Sequence, residues 1–203
     1  MFHVLWPYPL GPLTPNVMSS TTLSMSAGPR LTYVESCRRF QELGRLPAGE
    51  IPPLPPRMPL PDDPDPSRLS FFRELVTDES FDGLTIPRTF IGRTEFRNTS
   101  FRNTDLSESY VCWNDFIDVD FTGAVLANSD LRASLYTNVS FAGADLRGAD
   151  LRGLALRHCN FEDASMEGAR LTDFQRLFTK RFSPDQKAVI RWEWSSGPVP
   201  PGG

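Results

Sequence analysis

The sequence predicts an all-β solenoid, a square coil of short parallel strands, and three observations carry that expectation. From Phe81 to Leu171 an apolar residue returns at every fifth position without a slip: Phe81, Ile86, Ile91, Phe96, Phe101, Leu106, Val111, Phe116, Phe121, Leu126, Leu131, Tyr136, Phe141, Leu146, Leu151, Leu156, Phe161, Met166 and Leu171. Neither the 3.6-residue repeat of a helix nor the two-residue repeat of a strand accounts for a period of five. From Thr89 onward, the residue two places before each of these is small or uncharged, as at Thr94, Ser109, Ala124, Ser134 and Ala149. Two side chains per pentad therefore point inward. A period of twenty lies over the period of five, because Phe81, Phe101, Phe121, Phe141 and Phe161 share one column. A chain that turns a corner every five residues closes a square after four corners, and like residues then stack on one wall.

The second wall reads Ile86, Leu106, Leu126, Leu146, Met166; the third Ile91, Val111, Leu131, Leu151, Leu171; and the fourth Phe96, Phe116, Tyr136, Leu156. Asp145-Leu146-Arg147-Gly148-Ala149, followed by Asp150-Leu151-Arg152-Gly153-Leu154, resembles the A(D/N)LXX unit of pentapeptide-repeat proteins. That resemblance covers 91 of 203 residues in nineteen consecutive registers. It implies a right-handed quadrilateral parallel β-helix of about 4.5 coils over residues 81–173, since each coil takes four pentads. It implies little about role, because fold and function are separable.

Residues 1–67 hold fourteen of the nineteen prolines and form a proline-rich N-terminal arm rather than an ordinary packed domain. Residues 1–30 read as a disordered leader, or as one left untranslated if Met18 or Met25 is the start; the segment lacks the basic stretch of a signal peptide. Residues 31–64 read as one helix and a proline-rich linker. Thr32 and Glu35 make a capping box, Tyr33, Cys37, Phe40 and Leu43 line a face, and Gly44 ends the helix. Residues 65–80 are expected to form a second helix, opened by Asp65-Pro66 and carrying Leu69, Phe72, Leu75 and Val76, that caps the first coil. Residues 174–203 are expected to cap the other end. Phe174, Leu177 and Phe178 follow the last repeat, Ser183-Pro184-Asp185-Gln186 starts a helix carrying Ala188, Val189 and Trp192, and a disordered Pro/Gly tail closes the chain.

The search for chemistry comes back empty. His3 and His158 are the only histidines, and no phosphate-binding loop, dinucleotide fingerprint, zinc-protease motif or nucleophile elbow is present. The three cysteines, Cys37, Cys112 and Cys159, have no paired spacing, so neither a disulfide framework nor a zinc site follows. The expectation is a protein with no enzymatic activity, no cofactor and no metal. The net charge of −4 argues against direct nucleic-acid and membrane-surface binding, no apolar run is long enough to span a bilayer, and a cytoplasmic location follows.

What remains is surface. Outward positions are mostly Asp, Arg, Asn, Ser, Thr or Gly, but Phe90, Tyr110, Cys112 and Trp113 on the third wall and Ile117 and Leu135 on the fourth are exceptions. Phe90, Tyr110, Trp113, Ile117 and Leu135 are the candidate partner-binding residues, since clustered exposed apolar side chains mark contacts. The arm helix folding back over them is the competing expectation. The first functional reading is a non-catalytic scaffold that binds another protein, in the manner of the immunity-like or target-protecting members the resemblance brings in, with homodimerisation through the C-terminal helix open. The alternative that the resemblance implies is an acidic, DNA-mimicking rod that binds DNA gyrase. Between Phe81 and Leu171, however, thirteen acids are offset by nine arginines, leaving −4. At ~4.8 Å per rung the stretch is about 22 Å long, where duplex DNA carries on the order of 13 charges.

Overall fold

The computed structural model describes residues 14–15, 29–60, 69–173, 175 and 181–193. From residue 69 the chain winds as a four-sided parallel β-helix in which each residue pairs with the one twenty places on: Phe71 with Ile91, Ile91 with Val111, Phe96 with Phe116, Phe116 with Tyr136. The third wall is built from strands Ser70–Phe72, Phe90–Gly92 and Tyr110–Cys112. The fourth is built from Glu74–Thr77, Glu95–Arg97, Asp115–Ile117, Leu135–Thr137 and Ala155–Arg157. The first and second walls are held by single parallel bridges, such as Ser100 to Asp120 and Asp105 to Val125.

Inside, the phenylalanine column is continuous. Ring centroids lie 5.0 Å apart for Phe81 and Phe101, 5.0 Å for Phe101 and Phe121, 5.3 Å for Phe121 and Phe141, and 4.9 Å for Phe141 and Phe161, all stacked. The fourth-wall rings Phe96, Phe116 and Tyr136 form a second stack that meets the first edge-on. Polar residues at the second inward position are satisfied by the coil's own backbone. Thr104 donates to the Phe81 carbonyl at 2.6 Å, Asn114 to that of Ile91 at 3.0 Å and Ser129 to that of Leu106 at 2.7 Å. That is why Ser, Thr and Asn are admitted to an apolar interior. The Tyr136 hydroxyl is buried with no partner.

Each corner places a residue in the left-handed region, including Asn98 at φ 47°, Asp118 at 55° and Asn138 at 59°. Asn, Asp and Gly bear this conformation at least cost. Gly123 is required twice over, since its φ is +67° and an added Cβ would lie 2.4 Å from Asn103 Oδ1.

The coil begins earlier than its sequence signature. The capping helix expected over residues 65–80 is replaced, from Ser70 on, by strands in which Phe71 and Val76 take the inward fifth positions, both buried; residues 65–68 lie outside the described residues. Leu69, Phe72, Leu75 and Val76 satisfy a helical spacing by coincidence, while pairing to the next coil decides the outcome. Residues 69–173 thus make just over five coils, not four and a half, and Arg191–Glu193 adds a rung of a sixth on the third wall by pairing with Arg170–Thr172. Residues Thr14–Pro15 of the leader pair in parallel with Glu74–Leu75; the rest of residues 1–28 lies outside the described residues.

The cap is supplied by the arm. Helix α1, Tyr33–Glu42, starts at Thr32 with the expected capping box and is followed by Gly44 at φ +69°. It does not lie over the lateral apolar side chains. Phe40 continues the interior column, stacked on Phe81 at 5.8 Å and edge-on to Phe71 at 6.3 Å. Ser36 Oγ accepts from the Thr85 amide at 2.8 Å, and the Leu31 amide donates to the Gly83 carbonyl at 2.7 Å. In this first coil the second inward positions on the fourth and first walls are Glu74 and Glu79 rather than small residues. Arg45, its side chain only 7% exposed, reaches both carboxylates at 2.9 Å, with its guanidinium 4.9 Å from the Phe71 ring centroid and 5.8 Å from that of Phe81.

At the other end, two glutamines bind the last open carbonyls. Gln175 donates to Leu151 and Leu154, and Gln186 to Phe161 and Ala164. Helix α2, Pro184–Val189, has the expected capping box from Ser183 and Gln186, and Phe182 meets Phe161 edge-on at 4.8 Å. Trp192 is not on this helix; it belongs to the strand Arg191–Glu193. Phe174, Leu177, Phe178 and the tail from residue 194 lie outside the described residues.

Candidate functional site

The outward side of the third wall changes character halfway along. On its first rungs three of the outward positions, Phe72, Phe90 and Tyr110, are aromatic. Phe72, 47% exposed, meets Phe90 edge-on at 5.9 Å, and Phe90 stacks flat on Tyr110 at 5.0 Å and 1°. Gly92 makes room for this arrangement, because a Cβ there would sit 3.0 Å from the Phe90 ring. Trp113, 39% exposed, follows at the corner with φ 62°. Tyr110 is covered, only 8% exposed, and burial with the neighbouring Cys112 pushes its phenol upward. Cys112 is buried too, donates weakly to the Asp130 carbonyl, and has its thiol pushed up chiefly by burial. Such a thiol is inert.

From Asp130 onward the same wall is an ion-pair ladder. Arg132 pairs with Asp130 at 2.7 Å, Arg152 with Asp150 at 2.7 Å and Glu193 at 2.8 Å, and Arg170 with Asp150 at 3.2 Å and Glu193 at 2.7 Å. Burial raises the Asp130 carboxyl, but hydrogen bonds from Arg132 and Cys112 outweigh it and hold the group below its ordinary value. The ladder fastens the last strand to the coil and leaves little apolar surface there.

Of the five candidate residues, the structure brings Phe90 and Tyr110 into one stack on the third wall and puts Trp113 on its corner. Ile117 and Leu135 stand apart on the fourth wall. Both are half-buried, Ile117 between Arg97 and Thr137 and Leu135 between Asp115 and Ala155 on successive rungs. Their neighbour Asp115 is raised by burial first and by Glu95 on the preceding rung second. Phe72 is the member the sequence reading missed, and its position one residue after the inward Phe71 was the available signal. The proline segment also approaches this strip, with Arg88 donating to the Pro55 carbonyl at 2.6 Å two residues before Phe90.

His158 sits exposed at a left-handed corner, φ 52°, and His3 lies outside the described residues. Among the described residues no group of three or more His, Cys, Asp or Glu side chains is placed to hold a metal ion, and no helix is long and apolar enough to cross a membrane.

A family model described as pentapeptide repeats matches the chain in eight copies, over residues 94–132, 115–153 and 137–173. No curated protein matches the chain. Among solved structures, a pentapeptide repeat protein of the Arabidopsis thaliana thylakoid lumen is 22% identical over 51% of this chain and 73% of its own, with a TM-score of 0.47. The plasmid-mediated fluoroquinolone resistance protein QnrB1, in a trypsin-treated form, is 17% identical over 52% of this chain and 70% of its own, TM-score 0.41. A pentapeptide repeat protein, Rfr23, of the cyanobacterium Cyanothece 51142 is 20% identical over 51% and 83%, TM-score 0.27.

Proposed function

We propose, from the premise that the chain belongs through its coiled region to the pentapeptide-repeat family, that it is a non-catalytic scaffold holding another protein on the outward aromatic strip of its third wall. One observation carries this reading. Phe72 and Trp113 are large, exposed and grouped with Phe90 on a wall whose other half is closed by ion pairs. A rigid apolar strip with a polar surround is the usual form of a contact surface, and aromatic side chains dominate its energy. The caps at both ends leave this strip uncovered by α1.

The gyrase-binding alternative fits the charge distribution less well. Several acids on the walls are paired with arginines, as with Arg102 and Asp120 at 3.4 Å and Arg147 and Asp145 at 2.6 Å, and the coil's thirteen acids against nine arginines fall well short of the charge of duplex DNA.

The test is a paired measurement on Phe72→Ser with Trp113→Ser. Affinity purification from the native host with crosslinking is expected to recover a partner on the unaltered protein and lose it on the double variant. Thermal unfolding should move by no more than ~2 °C, as for exposed sites. A double variant that unfolds much earlier, or that retains the same partner, would contradict the reading.

A further inference from the structure

We propose that the proline segment following the cap is a second contact surface, a preformed ligand for a protein domain whose groove is lined with aromatic rings. The proposal needs nothing from the aromatic strip. Between Ile51 and Leu60 the chain carries Pro52, Pro53, Pro55, Pro56 and Pro59. Proline fixes φ at about −65°, and a residue that precedes proline is pushed to extended backbone, so this stretch is stiff before anything binds it. The structure also pins it. Gln41 donates to the carbonyls of Pro47 and Gly49 at 2.8 and 3.3 Å, and the Tyr33 hydroxyl reaches that of Pro53 at 3.5 Å. Arg88, oriented by Glu108 at 2.9 Å, donates to the carbonyl of Pro55 at 2.6 Å. Ile51 packs against the core, and Pro55 and Pro59 are buried.

The pinning decides which prolines are offered. A chain in the extended proline conformation repeats every three residues, so residues three apart share an edge. Two proline pairs with that spacing interleave here. Pro52 and Pro55 form the inner pair, half-buried and buried, while Pro53 and Pro56 are both exposed, with Leu54, 44% exposed, between them. One Pro-x-x-Pro register holds the segment against the molecule, and the other is presented to solvent. The backbone narrows the partner further. From Pro52 to Pro56 only Leu54 carries an N–H, so no strand can pair with the segment through alternating donors and acceptors. What the segment offers is proline rings, one leucine side chain and carbonyl oxygens. Flat aromatic faces that pack on the rings, with the phenol or indole donors of Tyr and Trp aimed at carbonyls, complement that set. Because the segment is already extended and held, it has little conformational freedom left to lose on binding.

The test is a titration of the full chain into a panel of isotope-labelled SH3 and WW domains, whose grooves are aromatic-lined, followed by NMR. Shifts are expected in at least one domain and confined to its groove. Pro53→Ala with Pro56→Ala should weaken that binding roughly tenfold, and Leu60→Ser, exposed beyond the outer pair, should leave it within about twofold. Circular dichroism should show all variants folded. A synthetic peptide of residues 51–60 is expected to bind severalfold more weakly than the chain, because it must first be ordered. Groove shifts absent from every domain of the panel would overturn the proposal, as would groove binding that the double alanine variant retains. Tighter binding by the peptide than by the chain would show that the coil hides the outer prolines and overturn it too. Binding lost on Phe72→Ser but kept by the double alanine variant would assign the contact to the aromatic strip, and a dimer of the free protein that the double alanine variant disperses would assign the exposed prolines to a second copy; either result overturns the proposal.

Discussion

Arg45→Met is expected to cost about 3 kcal/mol and lower the midpoint of thermal unfolding by roughly 6–12 °C. The substitution keeps most of the aliphatic bulk and removes the guanidinium that neutralises Glu74 and Glu79 and lies against Phe71 and Phe81. Both carboxylates are largely covered, so each is left as an uncompensated charge beneath the cap. Adding Glu74→Gln and Glu79→Gln to Arg45→Met should recover more than half of the loss, because the penalty belongs to the charges rather than to the missing contact. Calorimetry of the unaltered protein, the single variant and the triple variant decides it. A loss that the glutamines do not reduce would mean that Arg45 acts through packing alone.

Phe121→Ala is expected to cost about 4 kcal/mol, against at most about 1.5 kcal/mol for Phe121→Leu. Its ring is buried in the middle of the column, stacked between Phe101 and Phe141 and edge-on to Phe116 at 5.4 Å. A stacked coil transmits stability only between neighbouring rungs, so a void at mid-height weakens the coupling between its two halves. Denaturant unfolding should shift to lower concentration and become less steep. A steep transition with an unchanged midpoint would place Phe121 outside the core.

The sequence was legible where five-residue and twenty-residue periods ran together, and illegible where the chain makes its ends. From Thr89 onward the second inward position is small or uncharged, whereas the first coil carries Leu69, Glu74, Glu79 and Leu84 there. Glu74 and Glu79 meet Arg45 of the arm instead of a preceding coil. The pattern therefore broke at the one place where its partner was a helix, and Phe71 and Val76 were absorbed into a false helical spacing. The capping boxes at Thr32 and Ser183 were readable because they are local. Which surface α1 covers was not, because that depends on Phe40 finding Phe71 and Phe81, 31 and 41 residues further along the chain.

For the site, the alternation of inward and outward positions identified Phe90, Tyr110 and Trp113. It also put Ile117 and Leu135 on the fourth wall, but it could not show that Tyr110 is covered by stacking, or that Ile117 and Leu135 are already partly covered by their neighbours on the stack. Phe72 was hidden by the helix assigned to its segment.

The placement of an aromatic strip outside the coil and an aromatic column within it is tested most directly by hydroxyl-radical footprinting of the free protein, read by tandem mass spectrometry at Phe71 and Phe72. The two are the same residue type and adjacent in the chain, so intrinsic reactivity cancels, and only their surroundings differ, 0% exposed against 47%. Phe72 is expected to oxidise many times faster than Phe71, and equal rates, or faster oxidation of Phe71, would contradict both the register of the first coil and the binding surface built on it.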